Sequence, residues 1–215
     1  MMDDTKKIMK VVFLLESAYP DAPETYLKYS NPFEMVIATL LSAHTADACV
    51  NTITPKLFEK YPTPHAMMKA SIEDLIEIIR PCGTYNRKSE YIQNAARLLV
   101  ENFGGKVPRT LGELVTLPGV SRKTANVVLS VVFGVNEGVV VDTHVMRVTQ
   151  KLGFTKQDKN REKVERELMD LLPKHQWYVY SKLIGAHGRQ TCIARKPKCT
   201  VCAVNGLCPS AKLDA

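Results

Sequence analysis

No apolar run in this chain approaches the length of a membrane span; its hydrophobic stretches are short and broken by polar residues. The start of the chain also lacks an apolar core. Residues 1–10 mix Asp with Lys, so no secretion signal is expected and the cytoplasm is the expected compartment. That compartment keeps thiols reduced, which argues against a disulfide framework. Strand signals are nearly missing, because Val139-Val140-Val141 is the only strand-like run and is too short to found a sheet. Internal repeats and low-complexity segments are absent. Acidic residues are in deficit, with 22 Asp and Glu against 29 Lys and Arg, a formal charge of +7 and a pI near 9.1. Such a balance suits a polyanionic partner, although it also serves plain solubility.

What the chain does have is helical pattern. Its 215 residues can form one or two modest domains, each with a hydrophobic core. Ile8, Val11, Val12 and Leu15 keep helical spacing, as do Ile72, Leu75, Ile76 and Ile79. Start signals recur at Asn31-Pro32-x-Glu34, Thr63-Pro64, Ser71-x-x-Asp74 and Asn86, the last opening an amphipathic run to Phe103. Gly104-Gly105 and Gly153 read as helix stops. Residues 173–188 are expected to be helical, and the tail from Cys192 to be loop-like. The expected fold class is all-α, with two helical domains.

The densest chemistry lies in Leu117-Pro118-Gly119-Val120-Ser121-Arg122-Lys123-Thr124-Ala125. A helical pattern over 110–116 opens with the capping box Thr110-x-x-Glu113 and is closed by Pro and Gly. Ser121 is then a good N-cap for a helix over about 122–133, with Gly134 as its stop. A turn followed by a new helix N-terminus attracts an anion, through its backbone N–H groups and the helix dipole. The same positive end, with Arg122 adjacent, disfavours the charged form of Lys123. On its own Lys123 would read as an exposed helix lysine. A phosphate cradle beside a lysine biased towards the neutral amine points instead to amine chemistry on a nucleic acid.

Cys192, Cys199, Cys202 and Cys208 stand at spacing C-x6-C-x2-C-x5-C. Four thiolates this close in sequence can close around one metal centre. Zinc sites of this kind usually pair two C-x2-C knuckles, and here there is one. The wider intervals favour a [4Fe–4S] cluster over zinc, with a structural rather than a redox-catalytic role. Arg195, Lys196 and Lys198 lie between the first two cysteines, either as a solvated basic loop or as a loop stiffened to meet phosphates. Cys49 and Cys82 are expected inside helical segments as small buried hydrophobes. Val141-Asp142-Thr143-His144 opens another helical pattern over 145–152. Asp142 reads first as an N-cap, a role compatible with handling protons or stabilising positive charge near Lys123. His144 reads as structural.

Together these residues resemble the endonuclease III family, the helix-hairpin-helix DNA glycosylases with an iron–sulfur cluster. The stretch from Leu117 through Asn126-Val127-Val128 resembles the hairpin, Val141-Asp142-Thr143-His144 the catalytic acid segment, and the cysteine tail the cluster ligands. Leu40-Leu41-Ser42-Ala43-x-x-x-Asp47 and Tyr85-Asn86-x-Lys88 resemble the family's DNA-facing loops. The similarity runs from about Phe33 to Cys208.

The resemblance implies a six-helix barrel with the hairpin over 24–136, an iron–sulfur domain over 1–23 and 137–215, and a cleft between them. It also implies excision of damaged pyrimidines, oxidised ones first, from duplex DNA, with the damaged nucleotide flipped out of the stack. By match, Lys123 attacks the sugar C1′, Asp142 assists, and the resulting Schiff base permits β-elimination at an abasic site. Gly119, Val120, Ser121, Arg122, His44, Thr84, Arg195, Lys196 and Lys198 are the implied DNA contacts, and Cys192, Cys199, Cys202 and Cys208 the ligands of one [4Fe–4S] cluster. The implied partner is double-stranded DNA carrying damaged bases or abasic sites, met by a monomer associated with the nucleoid and not with a membrane. Three positions depart from the family's habit. Ser121 stands where Gly is frequent, His44 where Gln is expected in the loop that fills the gap left by a flipped base, and Thr84 where a bulkier apolar wedge is common. The last two bear on lesion choice, not on the chemistry. Other readings are a mismatch-specific glycosylase acting on uracil, thymine or adenine, which lacks the hairpin lysine, a non-enzymatic helix-hairpin-helix DNA-binding protein, and a zinc-stabilised DNA-binding protein.

Overall fold

A computed structural model describes residues 3–157 and 159–212. Among them regular structure is helical throughout, with no strand, and no helix is long and apolar enough to cross a membrane. The α-helices are α1 (Asp4–Ala18), α2 (Pro32–Leu41), α3 (Asp47–Lys60), α4 (Pro64–Met67), α5 (Ile72–Ile79), α6 (Tyr85–Phe103), α7 (Leu111–Leu114), α8 (Arg122–Phe133), α9 (Thr143–Leu152), α10 (Arg161–Leu171) and α11 (Trp177–Gln190). The chain divides into two compact units, Thr25–Val135 and Met1–Glu24 with Asn136–Ala215.

The unit Thr25–Val135 is built around α2. Every residue of that helix except Pro32 and Glu34 is buried, as its apolar composition on all sides requires. Asn31 caps it by accepting from the Glu34 N–H, while the Glu34 carboxylate accepts from the Ser30 N–H at 2.7 Å. Helices α3, α6 and α8 pack against it. Met35, Ile37, Leu41, Leu57, Leu75, Ile79, Ile92 and Leu99 are fully enclosed, each contributing about 1.5–3 kcal/mol. The six helices expected here are realised as five of two turns or more plus the single turns α4 and α7.

Three local expectations are corrected. The helix expected over 110–116 closes at Leu114, because the chain tightens into i→i+3 bonds, Thr116 N–H to Glu113 C=O and Leu117 N–H to Leu114 C=O, ahead of Pro118, which has no N–H. Helix α6 starts at Tyr85 rather than being capped by Asn86, because Thr84 before it takes the left-handed conformation, φ +57°. Cys82 sits outside any helix, in the bend between α5 and α6, although it is fully buried.

In the other unit α11 packs against α9 and α1. Ile8, Val11, Val12 and Leu15 of α1 point inward, as their spacing predicts. Val139, Val140 and Val141 are buried in extended chain without pairing into a sheet. Tyr180 is enclosed and shares a 2.8 Å hydrogen bond with Thr149, so its polar end is satisfied inside the core. Gly188 lets α11 approach α9, since a Cβ there would stand 2.9 Å from His144 Cβ.

Candidate active site and cysteine cavity

In the unit Thr25–Val135, the segment from α7 to α8 forms the hairpin. Its turn closes with Val120 N–H donating to Leu117 C=O at 3.0 Å. Gly119 holds φ +80°, and a Cβ there would stand 2.7 Å from Tyr91 Cδ2 and 3.0 Å from Leu40 Cδ2. Only glycine meets both demands. Ser121 caps α8, its hydroxyl oxygen accepting from the Thr124 N–H at 3.2 Å, and Gly134 ends the helix at φ +66°. Ser121 and Arg122 are exposed and Lys123 is half-buried in the first turn of α8, where the positive helix end opposes added positive charge. Val120 differs from its hairpin neighbours: its side chain is buried and its N–H is already used, so it shapes the turn rather than offering a donor.

His44 and Thr84, on separate loops of the same unit, are both exposed. They are also the two non-glycine residues with positive φ among the described residues, +56° and +57°. Their turns are neighbours, since a Cβ on Gly83 would lie 3.9 Å from the His44 carbonyl oxygen. Lys88, part of a motif similar to a DNA-facing loop, turns inward instead and is 4% exposed.

Asp142 belongs to the other unit, where it caps α9. Its Oδ1 accepts from the His144 N–H at 2.8 Å and the Val145 N–H at 2.7 Å. The second oxygen stands 3.9 Å from an Arg189 guanidinium nitrogen. The carboxylate is thus fixed in orientation and only partly solvated. Arg189 lies far along the chain on α11, and no sequence signal ties it to Asp142. His144 is half-buried on α9, and burial pushes its imidazole pKa below the usual value, in keeping with a structural residue.

Cys192, Cys199, Cys202 and Cys208 line one cavity of this same unit, together with Val148, Leu152, His187 and Val204. Its walls combine aliphatic groups with four soft donors. Burial pushes the Cys192 and Cys202 thiols up, a cost that a metal centre binding thiolates would offset. No three His, Cys, Asp or Glu residues among the described residues are grouped as a single-ion site. Four thiols lining one cavity are the soft donors that a metal centre takes. Arg147 braces the approach, donating to the Gly188 and Cys192 carbonyls at 2.9 and 2.8 Å. Arg195, Lys196 and Lys198 are exposed on the loop between the first two cysteines, which the Lys198 N–H ties to Thr191 C=O at 3.0 Å.

Residues 37–174 match the HhH-GPD superfamily of base excision DNA repair proteins. Endonuclease III of Synechocystis sp. is 43% identical over 212 residues, spanning 99% of this chain and 96% of that protein. Endonuclease III of Bacillus subtilis is 44% identical over 190 residues, spanning 88% and 86%. The structure of a non-covalent endonuclease III–DNA complex has a TM-score of 0.91 at 41% identity, covering 98% of this chain and 97% of that one. A trapped endonuclease III–DNA covalent intermediate has the same score and identity, covering 98% of each chain. With a helix-hairpin-helix, a capping aspartate and a four-cysteine cavity, and with this identity along nearly its whole length, the chain belongs to the endonuclease III family of the HhH-GPD superfamily.

Proposed function

We propose that this protein is a bifunctional DNA glycosylase and abasic-site lyase of base excision repair, acting on duplex DNA that carries damaged, chiefly oxidised, pyrimidines. The observation that carries the reading is Lys123 itself. It is half-buried in the first turn of a helix that follows a glycine turn, inside a chain 41% identical to a protein trapped covalently on DNA. A lysine amine can attack C1′ of the damaged nucleotide, forming a C–N bond as the glycosidic bond breaks and the base leaves. Opening of the sugar ring gives a Schiff base. That imine acidifies the C2′ proton, and its removal expels the 3′ phosphate by β-elimination. Both steps require the amine lone pair, which the positive helix end helps to expose. The test is a panel of duplexes carrying single lesions, scored for base release and for strand scission. Release of oxidised pyrimidines with scission is expected. Release of mismatched uracil, thymine or adenine without scission would favour a mismatch glycosylase, and no release at all a DNA-binding protein.

In this reading Asp142 supplies negative charge that stabilises the cationic sugar as the base departs. The prediction separates charge from capping. Asparagine caps as well as aspartate, so Asp142→Asn is expected to leave the melting temperature nearly unchanged. Single-turnover base release should nonetheless fall on the order of 10²–10³-fold. Unchanged release in that variant would leave Asp142 as a cap alone.

Cys192, Cys199, Cys202 and Cys208 would hold one [4Fe–4S] cluster, whose part is to stiffen the tail and the basic loop between its ligands. Purified protein is accordingly expected to be yellow-brown and to release iron and acid-labile sulfide. Colourless protein containing zinc would contradict the assignment. Arg195, Lys196 and Lys198, with Gly119, Ser121 and Arg122 of the hairpin, are assigned to phosphates, and His44 and Thr84 to the bases around the lesion. Affinity for any duplex should then fall steeply with salt. Neutralising each of the three loop cations in turn should lower the slope of log affinity against log salt by about 1. A slope that stays unchanged would remove the loop from the interface. The protein is expected to work as a monomer in the cytoplasm, at the nucleoid.

A further inference from the structure

Two exposed residues of this protein hold a backbone conformation that side chains other than glycine rarely adopt, and one buried lysine reaches both turns. His44 and Thr84 have φ of +56° and +57°, where the Cβ crowds the backbone. Strain of this kind persists only where the surroundings enforce it, and it gathers at sites that bind or react. The enforcing contacts converge on Lys88. Its backbone N–H donates to the Thr84 carbonyl at 3.0 Å, closing the first turn of α6 over the strained residue. Its ammonium donates to the Leu41 carbonyl at 2.8 Å and to the Thr45 hydroxyl at 2.7 Å. Those two acceptors bracket Ser42, Ala43 and His44, so one side chain fastens both ends of the second strained turn.

The choice of lysine follows from the site. Leu41 is the last residue of α2, where backbone carbonyls and the helix dipole favour a cation. The stem crosses the core with the residue only 4% exposed. Burial pushes the Lys88 amine below its usual pKa, a cost that the Leu41 carbonyl and the Thr45 hydroxyl offset by accepting from its ammonium. A methionine of similar length would fill the same volume and leave Leu41 C=O and the Thr45 hydroxyl without their donor.

We propose that Lys88 is a positioning residue for lesion recognition: its ammonium holds the turn of His44 in its strained conformation beside the neighbouring turn of Thr84, so that both side chains are presented together to the duplex. The inference rests on the functional reading given above, through the assignment of His44 and Thr84 to DNA. Lys88 touches no reacting atom, so its removal should impair selection of the lesion rather than the chemistry that follows.

The experiment compares the full-length wild type with Lys88→Met on one oxidised-pyrimidine duplex and on the matching intact duplex. The ratio of affinities, lesion over intact, is expected to fall at least tenfold in the variant. Single-turnover base release at saturating DNA should stay within about threefold. Backbone chemical shifts at His44 should move away from left-handed values, which a general loss of stability would not produce. An unchanged affinity ratio with unchanged shifts at His44 would overturn the proposal, whatever happens to the melting temperature. Should Lys88→Met fail to fold, Thr45→Val removes one of the two acceptors. It is expected to lower the ratio at least threefold and to shift His44, and no change in either would overturn the proposal equally. A wild-type chain without preference for the lesion would refute the functional reading itself, while the backbone shifts would still decide whether Lys88 holds the turn of His44.

Discussion

Lys123→Gln is expected to abolish both base release and strand scission, with a loss on the order of 10³–10⁶-fold, the range in which removal of an attacking nucleophile falls. Glutamine is one bond shorter and keeps a polar end but has no nucleophilic lone pair on nitrogen, so neither the bond to C1′ nor the Schiff base can form. The fold should be indifferent to the change, because Lys123 is half-buried in the first turn of α8 and the cap of that helix belongs to Ser121. Duplex affinity should therefore survive, and the variant should bind lesion DNA without turning it over. Residual base release near the wild-type rate would move the chemistry away from this lysine. Single-turnover kinetics on an oxidised pyrimidine, read beside a binding isotherm, separates these outcomes.

Gly119→Ala should have the second-largest effect, this time on the scaffold. The residue holds φ +80° and its missing side chain faces Tyr91. The left-handed conformation costs a non-glycine residue about 1–2 kcal/mol, and forcing a methyl group into a filled space costs a further ~1–3 kcal/mol. Tyr91 cannot simply swing aside. The contact at 2.8 Å is to its Cγ, near the root of the ring, and the Arg87 guanidinium lies over the ring at 5.2 Å from its centroid. A loss of about 2–5 kcal/mol is expected, which lowers the melting temperature by roughly 4–20 °C in a chain of this size. Since relief would come from moving the hairpin, affinity for intact duplex should fall as well. A melting temperature within a degree of wild type would mean that the turn is softer than its geometry requires.

Legibility in the sequence followed the range of the interaction concerned. The Ser121 and Asp142 caps, the Gly134 and Gly153 stops and the inward face of α1 were readable because each is fixed by residues within a turn or two of itself. The cysteine tail was readable for the same reason, its four members being close in the chain and in one cavity. Errors arose where a distant contact overrode the local pattern. Asn86 has the composition of a helix start, yet α6 begins at Tyr85 because Thr84 is held left-handed by its surroundings. Cys82 reads as helical from its neighbours and instead lies in a bend, opposite Cys49 from another helix. Lys88 reads as part of a DNA-facing loop, yet its ammonium turns inward to donate to the carbonyl of Leu41 and the hydroxyl of Thr45. Arg189 approaches Asp142 from α11, a juxtaposition that only the packing of α11 on α9 creates. Helix boundaries and caps are local facts, whereas the partners of buried or paired charges belong to the tertiary structure.

The same division separates the chemistry from the choice of lesion. In the proposed reading the nucleophilic amine is one residue at one helix start, Lys123. The proposed recognition of a particular base instead draws on His44 and Thr84, which stand on two turns from separate elements.

The central claim is that Lys123 forms an imine with the sugar of damaged DNA, and borohydride trapping measures it most directly. Wild-type protein incubated with an oxidised-pyrimidine duplex and reduced in place is expected to yield a covalent adduct whose cross-linked peptide maps to Lys123. The absence of any adduct, or an adduct mapped to another lysine, would contradict the account.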